Sequence, residues 1–206
     1  LMGRIDYSWF REFLIGLIIG AMLMTMPALL LTLFGVIRWH VNEISFPAFM
    51  SGISVMGSVV LAEGWLVRGC IFQRLIDAFG EWPAQLIIAG LFLLTHLNNP
   101  GMIGIIKTLA SINIFIASIL FGIAYIKTKN LGMPIGLHFF ANVVQGTILG
   151  FGVSGEKEVS IFTSIVTKAP DWTTGGMFGL EASAVGLFIL VAITGSLYFW
   201  YPSKKI

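Results

Sequence analysis

The chain has 206 residues, of which 57% are hydrophobic and 11% charged, against about 25% charged in a soluble domain. With a mean hydropathy of +0.92 it lacks the polar surface to cover a water-soluble globule. A net charge of +2 leaves no dense basic face for a nucleic acid.

Disordered, collagen-like and disulfide-scaffold classes fail on the same numbers. Cys70 is the single cysteine, so no intrachain disulfide can form. What remains is a polytopic membrane protein. A membrane-crossing helix needs about 20 mostly apolar residues. Runs free of Asp, Glu, Lys and Arg cover 13–37, 44–62, 82–106, 108–126, 130–155 and 182–203, each 19 to 26 residues long. Continuous apolar runs predict helices; a membrane β-barrel needs alternation. The fold class expected is all-α, a polytopic bundle of about six transmembrane helices forming one membrane domain over 1–206. The first run is too long and too late for a signal peptide. The sequence opens at Leu1 rather than methionine, which leaves room for preceding residues.

Two places depart from a simple hairpin series. The stretch 63–79 is amphipathic and is expected to continue the second span as one long helix emerging along the membrane surface. Pro100 and Gly101 interrupt the third run, so that helix should end near Asn98. The polar stretch 155–179 reads as a loop. Basic residues set the orientation. Arg4, Arg11, Arg68, Arg74, Lys127, Lys129, Lys204 and Lys205 fall on one side, and Arg38, Lys107, Lys157 and Lys168 on the other. The positive-inside rule then places both termini in the cytoplasm. Trp9, Trp39, Trp82, Trp200 and Tyr201 sit near span ends, as interfacial anchors do.

Ionisable groups at membrane depth are costly and point to function. Glu63 closes the second run, His96 ends Phe92-Leu-Leu-Thr-His96, and His138 opens His138-Phe-Phe-Ala-Asn142. His138 and Asn142 are four apart and share a helix face. A glutamate and two histidines from three helices can converge on one polar pocket. Such a set supports general-base chemistry on water or, equally, zinc ligation. A lone intramembrane histidine is as often an interhelical hydrogen-bonder. Arg68 reads either as part of the site or as a snorkelling boundary residue. Glu181, after a glycine-rich stretch, is expected to cap the last helix. His40, beside Arg38 and Trp39, takes no role.

In order and spacing these segments resemble the CPBP family, the CAAX protease and bacteriocin-processing (Abi) enzymes. That family shows E-E-x-x-x-R, F-x-x-x-H and H-x-x-x-N/D on successive membrane helices. Here they read Glu63-Gly-Trp-Leu-Val-Arg68, Phe92 to His96, and His138 to Asn142. Arg68-Gly69 and Gly175-Gly-Met-Phe-Gly-Leu-Glu181 also resemble bacterial members, and the resemblance covers about 44–191. It implies a membrane endopeptidase, in a bacterial plasma membrane, that acts on a membrane-embedded or prenylated-type peptide or protein. It implies Glu63 and His96 as the water-activating pair, and His138 and Asn142 as the groups that polarise the carbonyl and hold the oxyanion. Arg68 and Glu181 are supporting residues, and no metal or other cofactor is implied, zinc being the option set aside. The chain departs from the family at Gly64, which replaces the second glutamate and removes a partner four residues before Arg68. A non-catalytic relative that binds a membrane partner or confers bacteriocin immunity is the alternative. A small proton-relay transporter is a third.

Overall fold

A computed structural model of the chain describes residues 5–203. Helix α1 (Tyr7–Leu33) starts where the Asp6 carboxylate accepts from the Trp9 N–H at 3.0 Å, a side-chain cap on an otherwise unpaired donor. Helix α2 (Phe46–Glu63) starts at Ser45, continues through a π-helical stretch (Gly64–Ile71) and ends as α3 (Phe72–Phe79). The three form one continuous helix over Phe46–Phe79, the continuation expected for the amphipathic stretch. Gly80, at φ 82°, turns the chain into α4 (Glu81–His96). Helix α5 (Gly104–Thr128) closes on Lys129 in the left-handed region, with the Lys129 N–H on the Tyr125 carbonyl. Helix α6 (Gly132–Asn142) runs into a second π-helical stretch (Val143–Ile148). A short α7 (Asp171–Thr174) and a 3₁₀ turn (Leu180–Ala182) precede α8 (Ala184–Trp200), which Ser183 caps by accepting from Gly186 at 2.8 Å.

Helices therefore occupy all six expected segments. By length and apolar composition, Tyr7–Leu33, Phe46–Phe79 and Gly104–Thr128 are each sufficient to cross a membrane, and Ala184–Trp200 is a shorter apolar helix. The boundaries move where turn chemistry, rather than charge, ends a helix. The third run stops at His96, two residues before Asn98, and its last residues begin α5. The first run stops at Leu33, and Ile37 belongs to strand β1 (Ile37–Val41). That strand pairs antiparallel with β2 (Phe162–Val166), Ile37 opposite Val166, inside the segment read as a plain loop. Trp39 is no simple lipid anchor: its indole N–H donates to Thr32 Oγ1 at 2.9 Å, and its ring packs edge-on against Phe151 and Phe162.

The core is built on α1 against α6. Gly16 and Gly20 on α1 face the backbone at Met133 and Leu137, while Gly132 and Gly136 on α6 face the backbone at Trp9 and Phe13. Contacts advance together along both helices, so they run parallel. At all four positions a Cβ would collide with the opposing carbonyl oxygen. Small residues four apart permit this backbone approach in a membrane, and the glycine hydrogens meet carbonyl oxygens as weak Cα–H···O contacts. Helices α5 and α8 complete the core through Leu120, Phe121, Ile189, Leu190 and Leu197.

Both ends of the described chain lie at one end of the bundle. There the Tyr201 hydroxyl donates to the fully buried Glu12 carboxylate, which also pairs with Arg11 at 2.8 Å. Burial and the neighbouring carboxylate push the Tyr201 hydroxyl's proton affinity up, keeping it a donor. Lys129 and Glu81 pair at 3.0 Å. Arg68 does not belong to the basic tally at this end. It is 2% exposed and packed inside the bundle, because two aromatic faces take its charge, as described below. Arg4, Lys204 and Lys205 lie outside the described residues. The charge asymmetry then rests on those three, since Arg11, Arg74, Lys127 and Lys129 are matched by four basic residues at the other end.

Gly136→Val should force α1 and α6 apart and cost about 1–3 kcal/mol, read as a lower melting temperature in detergent. Gly195→Ala on α8, where nothing lies within 4 Å of a Cβ, should be neutral or gain up to about 1 kcal/mol. Equal melting temperatures for the two variants would mean that close approach does not hold the bundle.

Candidate active site

Helices α1, α4, α5, α6 and α8 and the loops ahead of α8 wall one cavity. Helix α4 contributes Phe92 and His96, α5 contributes Asn113 and Phe121, and α6 contributes His138 and Asn142. The loop ahead of α8 adds Glu181, with Ser154 beside it. The cavity has about 60 Å³ of open volume, room for a few waters at about 15–30 Å³ each. Leu23, Met24, Ile114 and Leu190 supply apolar wall.

Glu63 stands beside the cavity on the last turn of α2. Its Oε2 is 3.9 Å from His138 Nε2, too long for a direct hydrogen bond and short enough for one water to span. The His138 ring stacks on Phe121 with centroids 4.8 Å apart and planes 25° apart, which fixes the imidazole plane. The close carboxylate–histidine pair is thus Glu63–His138. His96 enters from the end of α4. Its Nδ1 is 2.8 Å from the Phe92 carbonyl oxygen and 3.0 Å from Thr95 Oγ1. A carbonyl only accepts, so Nδ1 carries the proton, and Nε2 of the neutral ring is left as an acceptor. Asn142, one turn beyond His138, is 8% exposed and lines the same cavity.

Arg68 lies under this site. Its guanidinium carbon sits 4.7 Å from the Phe92 ring centroid and 4.6 Å from that of Phe121, a double cation–π contact. Nη2 donates to Ser118 Oγ at 3.4 Å, while Nε and Nη1 have no hydrogen-bond partner. The snorkelling alternative is excluded by this burial. The π-helical stretch explains how Arg68 faces the site. In a regular α-helix, residues five apart differ by about 140° around the axis. Bonding from i to i+5 brings the fifth residue back toward the first. Glu63 and Arg68 are five apart, and the π turns begin directly after Glu63. A second set begins directly after Asn142.

Gly64 points away from Arg68's aromatic sandwich and toward α6, where a Cβ would meet Ile135 Cγ1 at 3.1 Å. Glu181 does not cap α8; Ser183 does. Glu181 Oε1 instead accepts from the Ser154 N–H, from Ser154 Oγ at 3.3 Å and from Gln145 Nε2 at 3.2 Å. Asn113, Gln145 and Ser154 were missed in the sequence. Gln145 follows Asn142 by three residues but lies in the π-helical stretch, where α-helical spacing does not assign it a face. Among the described residues no group of three or more His, Cys, Asp or Glu side chains is placed to hold one metal ion.

No curated protein and no solved structure matches the chain. Residues 45–144 match the family model for type II CAAX prenyl endopeptidases of the Rce1-like kind. The matched segment contains Glu63, Arg68, His96, His138 and Asn142, and it ends before Gln145, Ser154 and Glu181. Over residues 45–144, just under half of its length, the chain is thus similar to the Rce1-like endopeptidases, which agrees with the resemblance to the CPBP family.

Proposed function

We propose that the chain is an intramembrane endopeptidase that hydrolyses a peptide bond in a membrane-embedded or prenylated-type peptide or protein. The observation that carries this reading is the 3.9 Å separation of Glu63 and His138 beside a water-sized cavity that His96 and Asn142 share. Glu63 takes the proton of a water as its oxygen attacks the scissile carbon, with His96 Nε2 accepting the water's other hydrogen. His138 and Asn142 face the carbonyl oxygen, and their donors stabilise the negative charge it gains. Preorganised donors in a dry site act more strongly than in water. The apolar wall gives hydrophobic residues or a lipid group on the substrate a place to lie. All these steps run on the chain's own side chains, and no metal or other cofactor is assigned a part.

The test is incubation of the purified protein with prenylated and unmodified membrane peptides, followed by mass spectrometry. Cleavage of either supports the reading; binding without cleavage supports the non-catalytic alternative, for which Gly64 is the motivating departure. Glu63→Gln should reduce turnover by about 100-fold or more with the melting temperature unchanged, because the amide keeps the shape and loses the base.

Chelators should leave the cleavage rate within twofold of the untreated protein. Loss of activity on chelation, with recovery on adding zinc, would replace this mechanism by a metal-based one.

We further place both termini on the cytoplasmic side of a bacterial plasma membrane. Fusions at either end should be active only as cytoplasmic reporters. A C-terminal reporter active outside the cytoplasm would overturn the even number of crossings.

A further inference from the structure

The cavity has a second carboxylate on the wall opposite α2. Glu181 sits in the 3₁₀ turn before α8, and among the described residues its hydrogen bonds fall on one oxygen. Oε1 accepts from the Ser154 N–H, Ser154 Oγ and Gln145 Nε2. Those donors are themselves fixed. Gln145 Nε2 also donates to the Gly152 carbonyl at 2.7 Å. Ser154 holds a left-handed conformation at φ 50°, rare for a residue with a side chain, and Gly155 behind it packs on the Pro100 carbonyl. Burial pushes the Glu181 carboxyl up, and the three donors on one oxygen together with the nearby His96 work against that push, in favour of the anion. Besides tying the Ser154 loop to Gln145, Glu181 lines the cavity together with His96.

We propose that Glu181 is a positioning residue for His96, a fixed anion that steadies the positive charge His96 carries while it passes a proton to the leaving nitrogen. The proposal rests on the peptidase reading above. Glu63 holds the proton taken from water, and the tetrahedral intermediate carries the new C–O bond. The Glu63 proton moves through cavity water to His96 Nε2, making an imidazolium whose Nδ1–H stays on the Phe92 carbonyl. The C–N bond then breaks, its electron pair goes to nitrogen, and that nitrogen takes the proton from His96 Nε2. The products are an acid and an amine, and Glu63 and His96 return to their starting states. Glu181 exchanges no proton. The charged and titratable groups that act on His96 are Glu63 on α2, His138 on α6 and Glu181 on the 3₁₀ turn, while Arg68 on the π turns acts on Glu63 and His138. Of the two carboxylates, Glu63 is committed to water, which leaves Glu181 for the imidazolium.

The experiment compares the parent chain with Glu181→Gln and Glu181→Asp in detergent. Glutamine keeps an acceptor oxygen for the three donors, so the melting temperature should stay within 2 °C while the charge is lost. Turnover should fall about 10-fold or more with KM unchanged, and Glu181→Asp should recover part of it. A second readout is free of activity. Nitrogen-15 spectra of the imidazoles should show His96 taking up its proton about one pH unit lower in Glu181→Gln than in the parent. An unchanged His96 titration overturns the proposal whether or not the parent cleaves anything. A parent that cleaves nothing, with the His96 titration shifted, sinks the peptidase reading and keeps the Glu181–His96 pairing. Unchanged turnover in Glu181→Gln also overturns the proposal.

Discussion

Backbone contact between α1 and α6 sets the position of His138 and Asn142, the candidate site residues on α6. Side chains normally keep helix axes 8–10 Å apart. The glycines at 16, 20, 132 and 136 remove that spacing, and each would collide with an opposing carbonyl if it carried a Cβ. Interdigitation at four points along the helices leaves no freedom to slide, because a one-residue shift puts a side chain where a glycine was. His138 and Asn142 follow directly on this locked stretch, and Phe121 of α5 then fixes the His138 ring from the other side. Van der Waals packing matters here because lipid supplies no hydrophobic force between helices.

The other half of the site is held by departures from regular helix. Glu63 ends the α-helical part of the second span, and π turns follow it. They set Arg68 toward the cavity side of the helix, where Phe92 and Phe121 take its charge. Those two aromatics also belong to the cavity wall. Phe92 carries the carbonyl that fixes the His96 tautomer. One residue thus connects the buried cation to the histidine on the opposite side. Gly64 suits this arrangement, because α6 comes close at Ile135 and leaves little room for a side chain there.

The sequence made the helical segments legible because a charge in hydrocarbon is costly, so charge-free runs outline the spans. It was less informative about where they stop. His96 ends α4 and Gly104 starts α5 through turn geometry inside a single apolar run. The pairing of Ile37–Val41 with Phe162–Val166 joins segments far apart in sequence, and Ile37 is indistinguishable from the apolar run before it. Arg68 read as a boundary charge, since nothing in its neighbours in sequence shows the two rings that cover it. The glycine pairs on α1 and α6 were visible as G-x-x-x-G, and their meaning needed only the knowledge that they face each other. Glu181 was placed near a helix start, but its partners Ser154 and Gln145 come from a loop and a π turn that local sequence does not foretell.

The parallel α1–α6 contact also bears on the order of assembly. Helix α1 is made before α6 and is long and apolar enough to cross a membrane. Its partner begins at Gly132, more than a hundred residues later on the chain. That later helix and its π turns carry His138, Asn142 and Gln145, side chains that hydrocarbon resists. When this polar segment leaves the ribosome, α1 is already in place with a glycine face against which it can lie. Helix α1 thereby serves as an intramolecular template for the helix least able to enter lipid unaided. Among the described residues, the glycine face of α1 meets its partner only once α6 has been made.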